Sequence, residues 1–374
     1  MANSPWLTLI VPGTGTALIH AAQPTHAGQP ASQPAHAVQR QKSEHSQRDR
    51  TQLARMAGRG SLRYAWDRRD LALAALRPWQ RGLLAALELP ASGFPSAAVS
   101  ASGSVDGNMD SQGSGWLHAE PVHFIAGLDR LSFLALQGEA AVSAVERAAL
   151  EPMLAEHLRA SSCELHSIES PAPAWLIAAD RAFDAPNVMT ACPDAAAANE
   201  LERVMPRGPQ AGALRRLMTE LQMLLHEHPV NDARARRGLP AINALWLWGT
   251  GAIALLQSHK MLPPAFGDEP YLNGIYKLHG QSVQAVPGTC NELLCAIATA
   301  QRALAVVPVA EIDLLETQWI EPLRRALAAG AIDRVDLILD GWHLDASRAS
   351  MRRFWRRPLP PAQWLVPELT EKSA

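Results

Sequence analysis

Cysteine is scarce in this chain of 374 residues: there are four, Cys163, Cys192, Cys290 and Cys295. No CxxC pair occurs, and no Cys/His cluster has the spacing of zinc ligands. The four read as free thiols of a reducing cytoplasm. Charge is scarce too. Charged residues make up 19% and the formal net charge is −2, so the chain as a whole carries no bias toward nucleic acid. No apolar run reaches the roughly 20 residues that span a bilayer. The opening "WLTLIVPGTGTALIHAA" is apolar, but no Lys or Arg precedes it and Pro12, Gly13 and Gly15 interrupt it, against the pattern of a secretory signal. Walker A, GxGxxG, GxSxG and HExxH motifs are all missing, and no repeat of fixed period exists. What is present is apolar bulk: 48% hydrophobic residues, with 11 Trp against 3 Tyr and 6 Phe. That suffices for one large α/β domain or two modest ones. The expectation is a soluble, cytoplasmic protein with no membrane partner.

Along the chain, residues 1–20 read as an N-terminal strand (Trp6–Val11) and a turn of the core. Residues 21–50, rich in Ala, Gln, Pro and His, read as a disordered insertion, because such a composition buries too little apolar surface to offset ordering entropy. Residues 51–90 read as a helical segment and 91–115 as a low-complexity linker. Residues 116–357 read as the main α/β domain and 358–374 as a C-terminal tail. Within the main domain, Val122–Ile125 and Leu131–Leu136 read as a hairpin across "GLDR", and "CELHSIESPAPAWLIAAD" as two strands broken at "SPAP". Asp194 reads as the cap of a helix over 195–205. Leu214, Leu217, Met218, Leu221, Leu224 and Leu225 mark a core-facing helix over 211–227 that Pro229 ends. "NALWLW" reads as a buried strand. Thr289 caps a helix expected over 291–304, another runs over 314–329 to Gly330, and 335–347 alternates as a hairpin about Asp340–Gly341. The fold class is α/β, a mixed sheet flanked by helices with a C-terminal antiparallel hairpin.

The stretch "HPVNDARARRGLPAINALWLWGTGA" gathers the best candidates for chemistry. Arginine forks suit phosphate or carboxylate, and a glycine turn after a strand can offer backbone N–H groups to an anion. His228, Asn231, Arg234 and Arg237, with the turn Gly249, Thr250 and Gly251, are the candidate anion site. The bland reading stands beside it: Asn231 caps a short helix, the arginines face water, and the GTG turns close strands. "DGWHLD" could suggest a metal, but hairpin alternation sets His343 on the face opposite Trp342 and Leu344. In the tail, "RASMRRFWRRP" interleaves basic and aromatic residues, as nucleic-acid binders do. The preferred reading docks Phe354 and Trp355 on the body with arginine stems over apolar surface, so nucleic acid is not expected as a partner.

The stretch "HPVNDARARRGLPAINALWLWGTGA", over little more than 228–251, resembles a segment of the archaeal-type cofactor-independent phosphoglycerate mutases of the alkaline phosphatase superfamily. The wider pattern, from "PVHFIAGLDRLSF" through "LQMLLHEHPVNDAR" to "RRFWRRP", resembles the RpfE-type regulatory family of proteobacteria over roughly 115–357. The resemblance implies an alkaline-phosphatase-like fold, here degenerate. The mutases are two-metal phosphotransferases, with a first strand that ends in Asp-Gly, a Ser nucleophile and later Asp/His pairs. In this chain the first strand runs into "PGTGT" with no carboxylate, and the C-terminal counterpart is a hairpin with a single His. The expectation is therefore a non-catalytic regulatory or binding protein (a pseudoenzyme), without cofactor, whose partner is an unknown protein or a small phosphorylated ligand. The alternative is a metal-dependent phosphotransferase resembling the mutases, which would need Mn or Mg, and a second alternative is nucleic-acid binding through the basic-aromatic tail.

Overall fold

The computed structural model describes residues 5–13, 52–66, 73–104, 115–126, 131–169, 174–179, 188–199, 201–251, 253, 260–309 and 312–364. The insertion expected at 21–50, the turns at 127–130 and 170–173, and the tail beyond 364 lie outside them. Among the described residues the strands are β1 (Trp6–Val11), β2 (Ser61–Tyr64), β3 (Gly115–Ala126), β4 (Leu131–Ala135), β5 (Cys163–Ile168), β6 (Ala174–Ala179), β7 (Ala244–Trp248), β8 (Ala265–Phe266), β9 (Arg302–Val306), β10 (Arg334–Leu339) and β11 (Trp342–Ser347). The chain divides into two compact units. One comprises Met1–Trp66, Pro263–Asp268 and Val283–Ala374; the other comprises Asp67–Leu262 and Glu269–Ser282. These units cut across the single main domain expected over 116–357.

The first unit is built on a mixed sheet of order β2-β11-β10-β1-β9-β8. β1 lies parallel to both β9 and β10, and both of its faces are buried, as expected of a central parallel strand. Leu7, Leu9 and Val11 pack with Leu53, Met56, Trp319, Leu323 and Leu327 from the flanking helices. β10 and β11 form the expected antiparallel hairpin, with Asp340 at φ 49° in its turn. Two elements differ from expectation. The helix capped by Thr289 ends at Ala296, and Arg302–Val306 is a strand, because pairing with β1 buries Ala303 to Val306. Within the helical segment expected at 51–90, Ser61–Tyr64 is an edge strand on β11. The expected helix over 314–329 forms with a π turn at Leu315–Ile320 and closes on Gly330 at φ 78°.

The second unit has an antiparallel sheet, β4-β3-β6-β5, with β7 also on β3. Helix Ala211–His226 buries Leu214, Leu217, Met218, Leu221 and Leu225, the stripe read from the sequence. The linker expected at 91–115 is in part a helix: Ser96–Ser104 runs buried along its length to Ser102. Its small residues serve close packing against helix Pro270–Leu278. A Cβ on Gly274 would lie 1.9 Å from the Val99 carbonyl oxygen, and one on Gly103 2.0 Å from that of Pro270. Tyr271 donates its hydroxyl to Phe94 O at 2.7 Å beside this contact. The helix expected at 195–205 is two short ones, Pro193–Ala198 and Leu201–Val204, and its N-cap is Cys192 rather than Asp194.

The close helix pair carries a prediction. Gly274→Ala should destabilise the protein by about 1–3 kcal/mol, the usual cost of forced overpacking. Gly212→Ala, at an exposed helix position with open space around its Cβ, should stabilise by up to about 1 kcal/mol. Urea denaturation of both variants checks the pair; equal effects would refute the packing account.

Candidate functional site

The sequence candidates sit at the two ends of β7. At its entry, helix Pro229–Arg236 starts on the N-cap His228, whose Nδ1 accepts from Val230 N at 3.3 Å. Pro229 occupies the first turn, where its missing N–H costs nothing. Asn231 does not cap this helix. Its Nδ2 donates to Leu225 O (2.8 Å) and Ile242 O (3.0 Å), and its Oδ1 accepts from Ile242 N at 2.7 Å. Arg234 is fully buried. Its Nε donates to Pro240 O at 2.7 Å, its Nη2 to Ala140 O at 2.6 Å, and its Nη1 to Glu146 Oε2 at 3.0 Å. Arg237, about half exposed, pairs with Glu146 Oε1.

Glu146 is itself held from the other side. Ser143 caps helix Ala144–Ala160, and its N and Oγ donate to Glu146 Oε2 at 2.8 and 2.9 Å. Burial works to raise the Glu146 carboxyl, but the Ser143 hydrogen bonds and the two arginines outweigh it and hold it below the usual carboxylate range. Arg234 therefore does not face water, and its guanidinium is already matched by a carboxylate and two carbonyls. His228 also lines an open groove with Met153, His157, Glu220 and Met223.

At the exit of β7, Gly249 and Gly251 adopt φ 83° and 148°. Thr190 Oγ1 accepts from Gly249 N at 3.0 Å and from Thr250 N at 3.4 Å. Thr250 Oγ1 donates to Val188 O at 2.7 Å, and Gly249 O accepts from Ala97 N at 3.0 Å. The N–H groups of Gly249 and Thr250, which could have cradled a phosphate, thus point at a threonine. A strand of this length also separates the two halves by roughly 16 Å. The structure keeps His228, Asn231, Arg234 and Arg237 together, keeps Gly249, Thr250 and Gly251 together, and does not join the groups into one anion site.

A polar cluster that the sequence reading missed lies beside the second half. Arg77 pairs with Glu120 and, at 2.8 Å, with Asp194. Its guanidinium lies 5.1 Å from the Trp248 ring centroid, and His118 stacks on Trp248 at 4.4 Å. His118 Nε2 meets Ser96 Oγ at 3.0 Å, and Gln80 Nε2 donates to the same oxygen at 2.8 Å. Burial and the Arg77 charge push His118 down to about 3, so the imidazole is neutral at physiological pH. Burial also works to lower Arg77, but Glu120 and Asp194 overcome it and hold the guanidinium firmly charged. Cys192 is pushed up to about 12 by burial, leaving a neutral thiol. Ser96 is fully buried. The Ser96–His118 contact therefore braces helices Pro78–Leu87 and Ser96–Ser104 against β3 and does not present a nucleophile to solvent. Arg77, Glu120 and Asp194 keep about a quarter of their side-chain surface exposed.

In the first unit the two aspartates of "DGWHLD" are each held by a different group. Asp340 Oδ1 accepts from Gly13 N at 3.1 Å. His343 is lowered to about 4 by burial and by Arg63. Asp345 pairs with Arg334 and faces Asp336, which burial first, then Asp345, raise to about 6 against Arg334. Among the described residues no group of three or more His, Cys, Asp or Glu is placed to hold a metal ion. Among them, too, no helix is long and apolar enough to cross a membrane.

No family model matches the chain. It is similar to the 2,3-bisphosphoglycerate-independent phosphoglycerate mutase of Methanothrix thermoacetophila, 29% identical over 137 residues. That match covers 36% of this chain and 30% of the mutase, so the chain matches under a third of that relative's length. Two solved structures align over most of the chain. The cofactor-independent phosphoglycerate mutase of Thermoplasma acidophilum does so at 14% identity and TM-score 0.37, covering 97% of this chain and 95% of that one. The PH0037 protein of Pyrococcus horikoshii does so at 12% and 0.40, covering 93% and 88%.

Two measurements test this geometry. Arg234→Met leaves Glu146 buried beside a lost partner and should cost about 3–5 kcal/mol, whereas Arg237→Ala, half in solvent, should cost under ~1 kcal/mol; similar losses would contradict the assignment of Arg234 as the buried clamp. For His118, the folded-state value lies below the unfolded value of about 6.5. Its stabilising contribution is complete above that value and is lost as pH falls toward about 3. The Tm gap between wild type and His118→Gln should therefore shrink from about pH 7 to about pH 4, and a gap independent of pH would refute the buried neutral imidazole.

Proposed function

We propose that this chain is a mutase-like scaffold that binds and does not turn over substrate: a cytoplasmic, non-catalytic regulatory protein of the kind the RpfE resemblance implies. Its partner is another protein or a small phosphorylated ligand. One observation carries the reading. The motif most similar to the mutases spends its chemistry-bearing side chains on the fold, because Asn231 and Arg234 tie helix Pro229–Arg236 to the segment 240–242, and Glu146 takes up both Arg234 and Arg237. A group whose hydrogen bonds and charge are already matched has little to offer a transition state. In support, Gly13 N after β1 donates to Asp340 Oδ1, in a segment where the resemblance implies a metal-binding carboxylate and the sequence has none.

The second reading, a metal-dependent phosphotransferase, is favoured by the name of the Methanothrix relative. Incubating the purified full chain with 3-phosphoglycerate and Mn²⁺ or Mg²⁺, with coupled detection of 2-phosphoglycerate, separates the two. The expected outcome is no conversion above the protein-free blank. Turnover proportional to protein concentration and abolished by chelation would replace the binding reading with the enzymatic one.

A further inference from the structure

The first unit carries a basic and aromatic surface that the reading above does not use. Residues 352–358 are seven consecutive exposed positions. Phe354 is 77% and Trp355 68% exposed, which reverses the expectation that they dock on the body. The other ten tryptophans are buried or half-buried, so Trp355 stands apart. The two rings meet edge to face at 5.4 Å, with Arg352 and Arg353 on one side and Arg356 and Arg357 on the other.

The segment is a fixed platform. Before it, Arg59 Nη1 donates to Met351 O at 3.2 Å. After it, Leu359 N donates to Ala54 O at 2.8 Å, and Trp364 packs on Trp342 at 5.3 Å. The Arg357 carbonyl lies so close to Gly58 that a Cβ there would fall 2.1 Å from its oxygen. Turns from Arg353 N to Ser350 O (3.0 Å) and from Arg356 N to Arg353 O (3.0 Å) set the backbone between these anchors. Ordering entropy is therefore largely met before any partner arrives.

Positive charge continues beyond the loop. No Asp or Glu occurs from Ala346 to Pro367, and Arg348 is exposed. Arg324 is lowered by burial and then by Arg55, with Arg59 and Arg325 adding to it against Glu321, so these arginines crowd one region of helices Gln52–Arg59 and Glu321–Ala329. Of the nearby carboxylates, Glu321 pairs with Arg325 and Glu316 accepts from Leu53 N at 3.2 Å.

We propose that this surface binds single-stranded nucleic acid, with bases stacking on Trp355 and Phe354 and the flanking arginines contacting phosphates. Four exposed arginines flanking two exposed rings along one segment suit an extended polyanion better than a small one. Exposed ring faces serve stacking, which every base offers. Membrane binding scales with buried apolar area, and of the next apolar residues Leu359 is half-buried and Pro360 buried.

Fluorescence anisotropy with the full chain and a labelled oligothymidylate or oligouridylate of about a dozen nucleotides tests this, with matched duplex DNA and phosphatidylserine vesicles as the other arms. Wild type should bind the single strand more tightly than the duplex. Trp355→Ala should weaken binding about tenfold and Trp355→Phe much less. Arg353→Gln/Arg356→Gln should flatten the salt dependence by about 0.7 per arginine. No binding of the single strand, equal binding of duplex, binding of vesicles alone, or full affinity in Trp355→Ala would each overturn the proposal. The substituted side chains lie in solvent, so unchanged thermal denaturation is expected and certifies the variants.

Discussion

A guanidinium with no exposed surface forces the structure around it. Arg234 can be buried only if its donors and its charge are met there, because an unmatched buried cation costs several kcal/mol. Pro240 O and Ala140 O take two of its nitrogens and Glu146 takes the third. Glu146 in turn needs the Ser143 cap to hold its carboxylate in place. The clamp thus fixes the start of helix Ala144–Ala160, helix Pro229–Arg236 and the segment leading into β7 as one arrangement. β7 then pairs with β3 through His118 to Val122, which sets Trp248 against His118 and delivers Gly249 to Thr190. The buried ion pair thus anchors the entry of β7, and pairing with β3 carries that placement to its exit.

That dependence also explains which parts of the fold could be read from sequence. Helix Ala211–His226, the Asp340–Gly341 hairpin and the Gly330 stop follow from local period and turn chemistry, so the residues themselves announce them. Arg302–Val306 could not be read that way. Its Ala-rich lead-in favours helix, and only pairing with β1 and β8 overrides that. The Ser96–Ser104 helix was hidden for the opposite reason. Small residues mark a loose linker when counted by composition, but here the same smallness lets two helices approach until Gly274 meets the Val99 carbonyl.

The candidate site was legible only in part. Arg234 and Arg237 were visible as forks, but their carboxylate lies 88 and 91 residues upstream. The Ser143-x-x-Glu146 spacing fits a capping box, yet nothing local says that the capping glutamate also serves two arginines. Arg77, Glu120 and Asp194 carry no motif at all; they lie 43 and 117 residues apart in the pairs that join them. Composition failed differently. A net charge of −2 sums over the whole chain, while screening limits each charge to about 8–10 Å. A locally basic surface is therefore invisible in the total.

Arginine has two opposite fates in this protein, and exposure rather than motif separates them. Arg234 and Arg147 are buried, the first against Glu146 and the second 4.7 Å from the Trp175 ring, and there the charge serves to fix the scaffold. Arg352, Arg353, Arg356 and Arg357 stand in solvent around two uncovered rings. Solvent can be displaced by a partner only from the second set. A functional reading of this chain therefore turns on where charge and aromatic surface remain unmatched.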